Sequence, residues 1–223
     1  MDGCTYHIHM RRPAFTLIEV LVVIAVITLL MGILLPVMGK ARIQAKVLAV
    51  NAELRDIGLA LEAYSMDNAG RFPPTRVDCA ISDHYFQLPQ EMVESKYLPA
   101  PTPGTFMASG IEDRFNRGYT YKYRSVGTLI QNRTVVEEEG AWLWVPTGFP
   151  SSDSEDGREY SNLKTSPVSW VLYSLGPGFN DKEEVRLKKL KYPVPKATWY
   201  DPGTQKGVIV RMRLANGTQI GSF

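Results

Sequence analysis

The amino-acid sequence predicts an α+β protein in which a long N-terminal helix packs on a small antiparallel sheet domain. Two observations carry that expectation. An uncharged apolar run from Val20 to Gly39 leads without a break into a stripe at Ile43, Val47, Val50, Leu54, Ile57, Leu61 and Tyr64, whose steps alternate between four and three, as one helical face requires. From residue 71 the composition shifts to frequent Pro, Gly and aromatics around short β-like runs, which need a cover for one face.

Residues 1–14 read as a short polar leader ending Arg11-Arg12-Pro13-Ala14. A secretory signal peptide starts in a similar way, but its apolar core is ~7 to 15 residues long and is followed by a small-residue cleavage site. Here the run is longer, and Val37 and Gly39 make a poor site. Residues 15–39 are therefore read as a single membrane-spanning segment, because the uncharged stretch at ~1.5 Å per residue covers ~30 Å, about the hydrocarbon core of a bilayer. One carboxylate, Glu19, interrupts the apolar character of this segment. An acidic side chain at the centre of such a helix costs ~2.5 to 3.5 kcal/mol and somewhat less near its end, so Glu19 calls for a partner or a job. Pro36 has no amide hydrogen and frees the carbonyl of Gly32, so a kink or local melting is expected there, with a static kink as the plainer alternative.

Residues 40–68 continue the helix as an amphipathic segment, with Lys40, Arg42, Lys46, Glu53, Arg55, Asp56 and Glu62 between the stripe positions. Its distal half is expected to pack on the chain's own domain, its proximal half to face neighbouring subunits. The helix should end between Asp67 and Gly70, where the glycine can take a left-handed cap and Pro73 and Pro74 follow.

Residues 69–223 read as the globular domain. "PQEMVESKYLP" predicts a short helix closed by Pro99; strands are predicted at Tyr119–Val126, Ala141–Val145, Ser169–Leu175 and Val208–Leu214. Asn216-Gly217 favours a type I′ hairpin into the last residues. Trp142, Trp144, Trp170 and Trp199 are expected to feed a core or a sheet face rather than a groove.

Composition narrows the function. With 25 basic and 23 acidic residues the net charge is +2, and no basic stripe with interleaved aromatics marks a nucleic-acid partner. His7 and His9 precede the apolar run and only His84 follows it, too few for a histidine-rich metal centre or a histidine-based triad, so no catalytic residues are assigned. Cys4 and Cys79 lie on either side of the span, so no structural disulfide is expected. "SSDSEDG" lacks alternating ligand spacing and reads as a solvated loop. Asn180, Asp181, Glu183 and Glu184 offer hard oxygen ligands for calcium, against which stands Lys182 and the reading of a plain turn.

The junction "RRPA" with "FTLIEV", the apolar helix and the helix-to-sheet order together resemble the type IV pilin superfamily. "NAELRDIGLALEAYSMDNAGRFPP", "YSLGPG" and "YDPGTQKGVI" look like the pseudopilins of type II secretion, particularly the major kind, whereas residues 135–157 have no counterpart there. The resemblance implies a pilin-like fold and a filament subunit rather than an enzyme. It implies cleavage by a prepilin peptidase between Ala14 and Phe15, N-methylation of Phe15, and Glu19 as the residue of filament assembly. Ala14 departs from the glycine usual at that position. Partners implied are like subunits, the peptidase and an inner-membrane assembly platform; the location implied is the bacterial inner membrane with residues 69–223 in the periplasm. In major pseudopilins a calcium loop falls where Asn180 to Glu184 stand.

Physics adds a role for Glu19. A new amine at Phe15 of an adjacent subunit would pair with it, and because an unpartnered buried ion costs several kcal/mol, the register satisfying both groups is selected. Alternatively Glu19 snorkels at the headgroups, helped by Arg12. Lys40, Arg42 and Lys46 outnumber Arg11 and Arg12, so charge counting alone places the domain in the cytoplasm, opposite to the resemblance. The rival function is a membrane-tethered extracytoplasmic binding module that does not polymerise.

Overall fold

The computed structural model describes residues 16–77, 85–131, 134–152, 154–177 and 193–222. Two compact units divide the chain, Met1–Arg42 and Ile43–Phe223. Helix α1, Leu17–Asp67, supplies residues to both. In the first unit its side chains from Leu17 to Arg42 are all exposed, including apolar groups as large as Leu21, Ile24, Leu29 and Ile33. The helical assignment passes through Gly32 and Pro36 without interruption.

In the second unit the predicted stripe is the buried one. Val47, Val50, Leu54, Ile57 and Leu61 are all at most 1 % exposed, with Ile43 and Tyr64 packed at the margins. Gly58 lies on the same face because the sheet comes close: a Cβ there would meet Gln219 Oε1 at 3.0 Å and the Trp170 ring at 3.1 Å. The helix ends at Asp67, as the sequence indicated, but the left-handed residue after it is Ala69 (φ 54°) as well as Gly70 (φ 79°). The Gly70 amide closes the end by donating to the Ser65 carbonyl at 2.8 Å.

The domain order is β1 (Thr75–Val77), α2 (Gln90–Glu94), β2 (Lys122–Ser125), β3 (Gly127–Gln131), β4 (Thr134–Ala141), β5 (Leu143–Pro146), β6 (Gly157–Tyr160), β7 (Val168–Ser174), β8 (Ile209–Leu214) and β9 (Gln219–Gly221). The central sheet has the order β2-β7-β8-β9 and is antiparallel throughout. Because strand side chains alternate between faces, β7 sends Trp170 and Leu172 toward α1 and Val171 and Tyr173 the other way. Every residue of β7 is buried. The far face is covered by Leu143 and Val145 of the β5–β6 ribbon with Phe149 and Val194, so the sheet lies between two cores, one more layer than a helix on a half-solvated sheet.

A separate sheet, β1-β3-β4, contains a parallel β1–β3 pair, Thr75 opposite Leu129, where antiparallel pairing was expected. Four strand predictions find strands within a few residues of their expected ends, at β2, β5, β7 and β8. The hairpin after β8 is not type I′: Gly217 (φ 87°) carries the loop's positive φ, its amide donates to the Leu214 carbonyl at 3.0 Å, and the Leu214 amide donates to Thr218 at 2.9 Å. This is the three-residue loop with glycine in the left-handed position, and the Asn216 side chain accepts from the Thr218 amide at 2.9 Å instead of adopting positive φ itself. Trp170 and Trp144 are buried and Trp142 is 44 % exposed beside Arg124.

Candidate functional site

The N-terminal end of α1 is built by a local sequence device. Thr16 precedes the first helical residue and Glu19 stands three residues on, the T-x-x-E spacing of a capping box. Thr16 Oγ1 accepts from the Glu19 amide at 3.3 Å, while Glu19 Oε2 accepts from the Thr16 amide and hydroxyl, each at 2.9 Å. Two of the orphan donors of a helix start are thereby satisfied, and the carboxylate sits where the helix dipole favours an anion. All three bonds use Oε2 and the amide; among the described residues none is made to Oε1, and Glu19 as a residue is exposed.

Such an arrangement answers part of the question that Glu19 raises. The carboxylate is useful to the isolated chain as a cap, and it keeps one oxygen for a further donor. The signal was present in the sequence as "TLIE", but reading Glu19 as an isolated charge in an apolar run hides it.

Farther along, Thr28 carries the only side-chain hydroxyl between Val20 and Gly39, and it donates to the Ile24 carbonyl at 2.6 Å. No polar side chain of this stretch then needs water. By length and composition α1 is able to cross a membrane. Gly32 and Pro36 lie exposed in the helix; the missing Pro36 amide leaves the Gly32 carbonyl without its ladder donor.

In the second unit the polar residues of α1 are anchored. Glu53 accepts from Arg114 Nε at 2.8 Å and from the hydroxyl of Tyr121. Burial, and then the Glu53 carboxylate, push the Tyr121 phenol far above its ordinary value, so it remains a donor. Glu62 pairs with Arg213 at 2.9 Å and accepts from Gln219 at 3.2 Å. Asp113, 1 % exposed, accepts from Ser174 Oγ at 2.8 Å, the Phe115 amide at 2.9 Å and Asn116 Nδ2 at 3.3 Å. Burial raises its carboxyl above the ordinary range while these donors oppose the rise. Asp113 is a structural pin for the loop before β2.

The predicted residues divide accordingly. Glu19, Gly32 and Pro36 are placed on α1; Ala14 and Phe15, both cysteines, the three histidines and the calcium candidates Asn180, Asp181, Glu183 and Glu184 lie outside the described residues. Among the described residues no group of three or more His, Cys, Asp or Glu side chains is disposed to hold a metal ion.

No curated protein and no solved structure matches the chain. A family model described as the prokaryotic N-terminal methylation motif matches residues 9–35, which take in the arginine pair, the Thr16–Glu19 box and the helix as far as Leu35. The first part of this chain therefore carries a prepilin-type N-terminal methylation motif, and it does so at the head of a long apolar helix in a pilin-like α+β fold.

Proposed function

We propose that the chain is a structural subunit of a pilin-like filament, of a type II secretion pseudopilus or a related type IV pilus system, held in the bacterial inner membrane until assembly. The match to the methylation motif at residues 9–35 carries this reading. Prepilin peptidase cleaves between Ala14 and Phe15 and the new amine of Phe15 is methylated; the domain then lies in the periplasm. Like subunits associate through α1, supported by an inner-membrane assembly platform. Glu19 serves twice: Oε2 caps its own helix, and Oε1 accepts from the Phe15 amine of a neighbour, so that two charges costly alone in an apolar filament interior offset one another. The Gly32–Pro36 turn, short of one rung, is the place where the helix unwinds on packing.

Mass spectrometry of the N-terminus of native membrane-extracted protein tests the processing, with a methylated Phe15 expected and an intact Met1 overturning it. Glu19→Gln tests the assembly role. The amide keeps the volume and an acceptor for Thr16 but loses the charge, so membrane abundance should hold or rise while sheared filament falls by about tenfold or more, the scale of one lost buried charge pairing. Equal shearing at equal abundance would reduce Glu19 to a headgroup residue and favour the membrane-tethered binding module.

A further inference from the structure

Beside the buried stripe, α1 and the loop Ile111–Tyr119 enclose a cleft of about 310 Å³ lined by Lys46, Glu53, Glu112, Arg114 and Arg117. Its charges are unequally satisfied. Glu53 and Arg114 pair with each other and the Tyr121 hydroxyl completes Glu53, while Glu112 accepts from the backbone amide of Gly118. Lys46 lies 5.9 Å from the Phe115 ring, and neither it nor Arg117 makes a hydrogen bond or ion pair among the described residues. Buried Asp113 pins the loop by accepting from Ser174 Oγ and the Phe115 amide, so the lining is held in place. The cleft offers two unpaired cations beside one carboxylate with spare acceptor capacity.

A complementary surface lies elsewhere in the same unit. The connection between β5 and β6, which carries the stretch "SSDSEDG", is closed at its neck by the Thr147 amide donating to the Asp156 carbonyl at 2.8 Å and the Ser152 amide donating to the Gly148 carbonyl at 2.9 Å. Ser151, Ser152, Glu155 and Asp156 are exposed on it, and the Asp156 carboxylate makes no hydrogen bond or ion pair among the described residues. Carboxylates beside hydroxyl donors are the converse of cations beside a carboxylate. The central sheet keeps the two surfaces apart within one chain: Ile111 and Phe115 of the cleft loop pack into the core beneath α1, whereas Leu143, Val145 and Phe149 of the β5–β6 ribbon cover the other face. A contact between two different patches is heterologous, and when its repetition does not close it builds an open helical assembly.

We propose that the occupant of the cleft is a second copy of this chain: the β5–β6 loop of one copy enters the cleft of the next, with the Asp156 carboxylate between Lys46 and Arg117 and a hydroxyl of Ser151 or Ser152 donating to Glu112. The inference rests on the reading of the chain as a filament subunit and goes beyond it, because it adds to the association through α1 a contact that involves only the unit Ile43–Phe223. It also gives a purpose to the stretch around Asp156, for which the resemblance to pseudopilins offers no counterpart. Exposed ion pairs contribute little singly, so the contact acts by its repetition along a filament.

Filaments sheared from cells that express the full chain provide the test. Zero-length carbodiimide coupling should join Lys46 to Asp156, read by mass spectrometry of the digested filament, a link that one copy does not make across its own sheet. Arg117→Glu and Asp156→Lys should each lower the yield of sheared filament by about fivefold at equal membrane abundance, the upper scale of one exposed ion pair. The double variant Arg117→Glu/Asp156→Lys exchanges the signs of the pair and should recover about half of the yield or more, whereas Arg117→Glu/Asp56→Lys, equal to it in net charge, should stay low. Natural filaments without the Lys46–Asp156 link, single variants at full yield, or equal recovery by the two double variants overturn the proposal and leave the filament reading intact. A natural chain that gives no filament overturns both.

Discussion

Leu17 to Arg42 and Ile43 to Asp67 belong to one helix, yet the more apolar part buries nothing and the more polar part buries seven residues. In the second part apolar groups recur every three or four positions and disappear beneath the sheet; in the first they occur all round the helix and stay exposed. Apolarity sets how strongly a surface avoids water, whereas periodicity determines whether one folded domain can cover it. A surface apolar on all sides needs a medium, lipid or other helices, and a stripe needs only one partner.

The sharpest way to break this contrast is a matched pair of truncations. Leu54→Ala removes a fully buried side chain and should cost ~2 to 5 kcal/mol in denaturant unfolding of the detergent-solubilised chain. Leu30→Ala, 60 % exposed in its natural form, should leave the same transition within ~0.5 kcal/mol. Comparable losses would mean that the first part of α1 contributes to the same cooperative unit.

Polar anchors give a smaller effect of the same sign. Glu62→Gln weakens a half-buried pair with Arg213 and should cost about 1 kcal/mol, less at high salt. A loss that grew with salt would show that the pair is not what ties α1 to β8. The smallest effect belongs to the helix end, and it is a gain. Ala69 adopts φ 54°, a region that costs an L side chain ~1 to 2 kcal/mol, part of which glycine recovers against its larger unfolded-state entropy. Ala69→Gly should therefore raise the unfolding free energy by a few tenths to ~1 kcal/mol. A fall would place the left-handed turn elsewhere.

Residues whose neighbours are close in sequence were the legible ones. The stripe from Val47 to Leu61 and the runs that became β7 and β8 could be read because period and composition are local properties. The Thr16–Glu19 box is equally local, but its carboxylate stands in an apolar run, where the membrane cost of the charge masks its fit as a cap. The parallel pairing of β1 with β3 joins residues more than fifty positions apart, and no window of sequence contains it. The second core was hidden for a related reason: Val171 and Tyr173 look like an outer face until the ribbon at Leu143 and Val145 covers them. Asn216 and Gly217 suggested the right turn site but the wrong type, because the asparagine side chain holds the Thr218 amide from a conformation with negative φ.

Pro36 has a mechanical consequence. Tension applied at the start of α1 passes along its axis through backbone hydrogen bonds that act in series, whereas the packed groups from Val47 to Leu61 resist sliding together, in parallel. Rungs in series yield at the weakest one. With the Gly32 carbonyl lacking its donor, the turn before Pro36 is expected to give first under the proposed assembly, each uncoiled residue extending from ~1.5 Å to ~3.3 Å. A single proline thus marks where the helix is expected to lengthen before its other turns do.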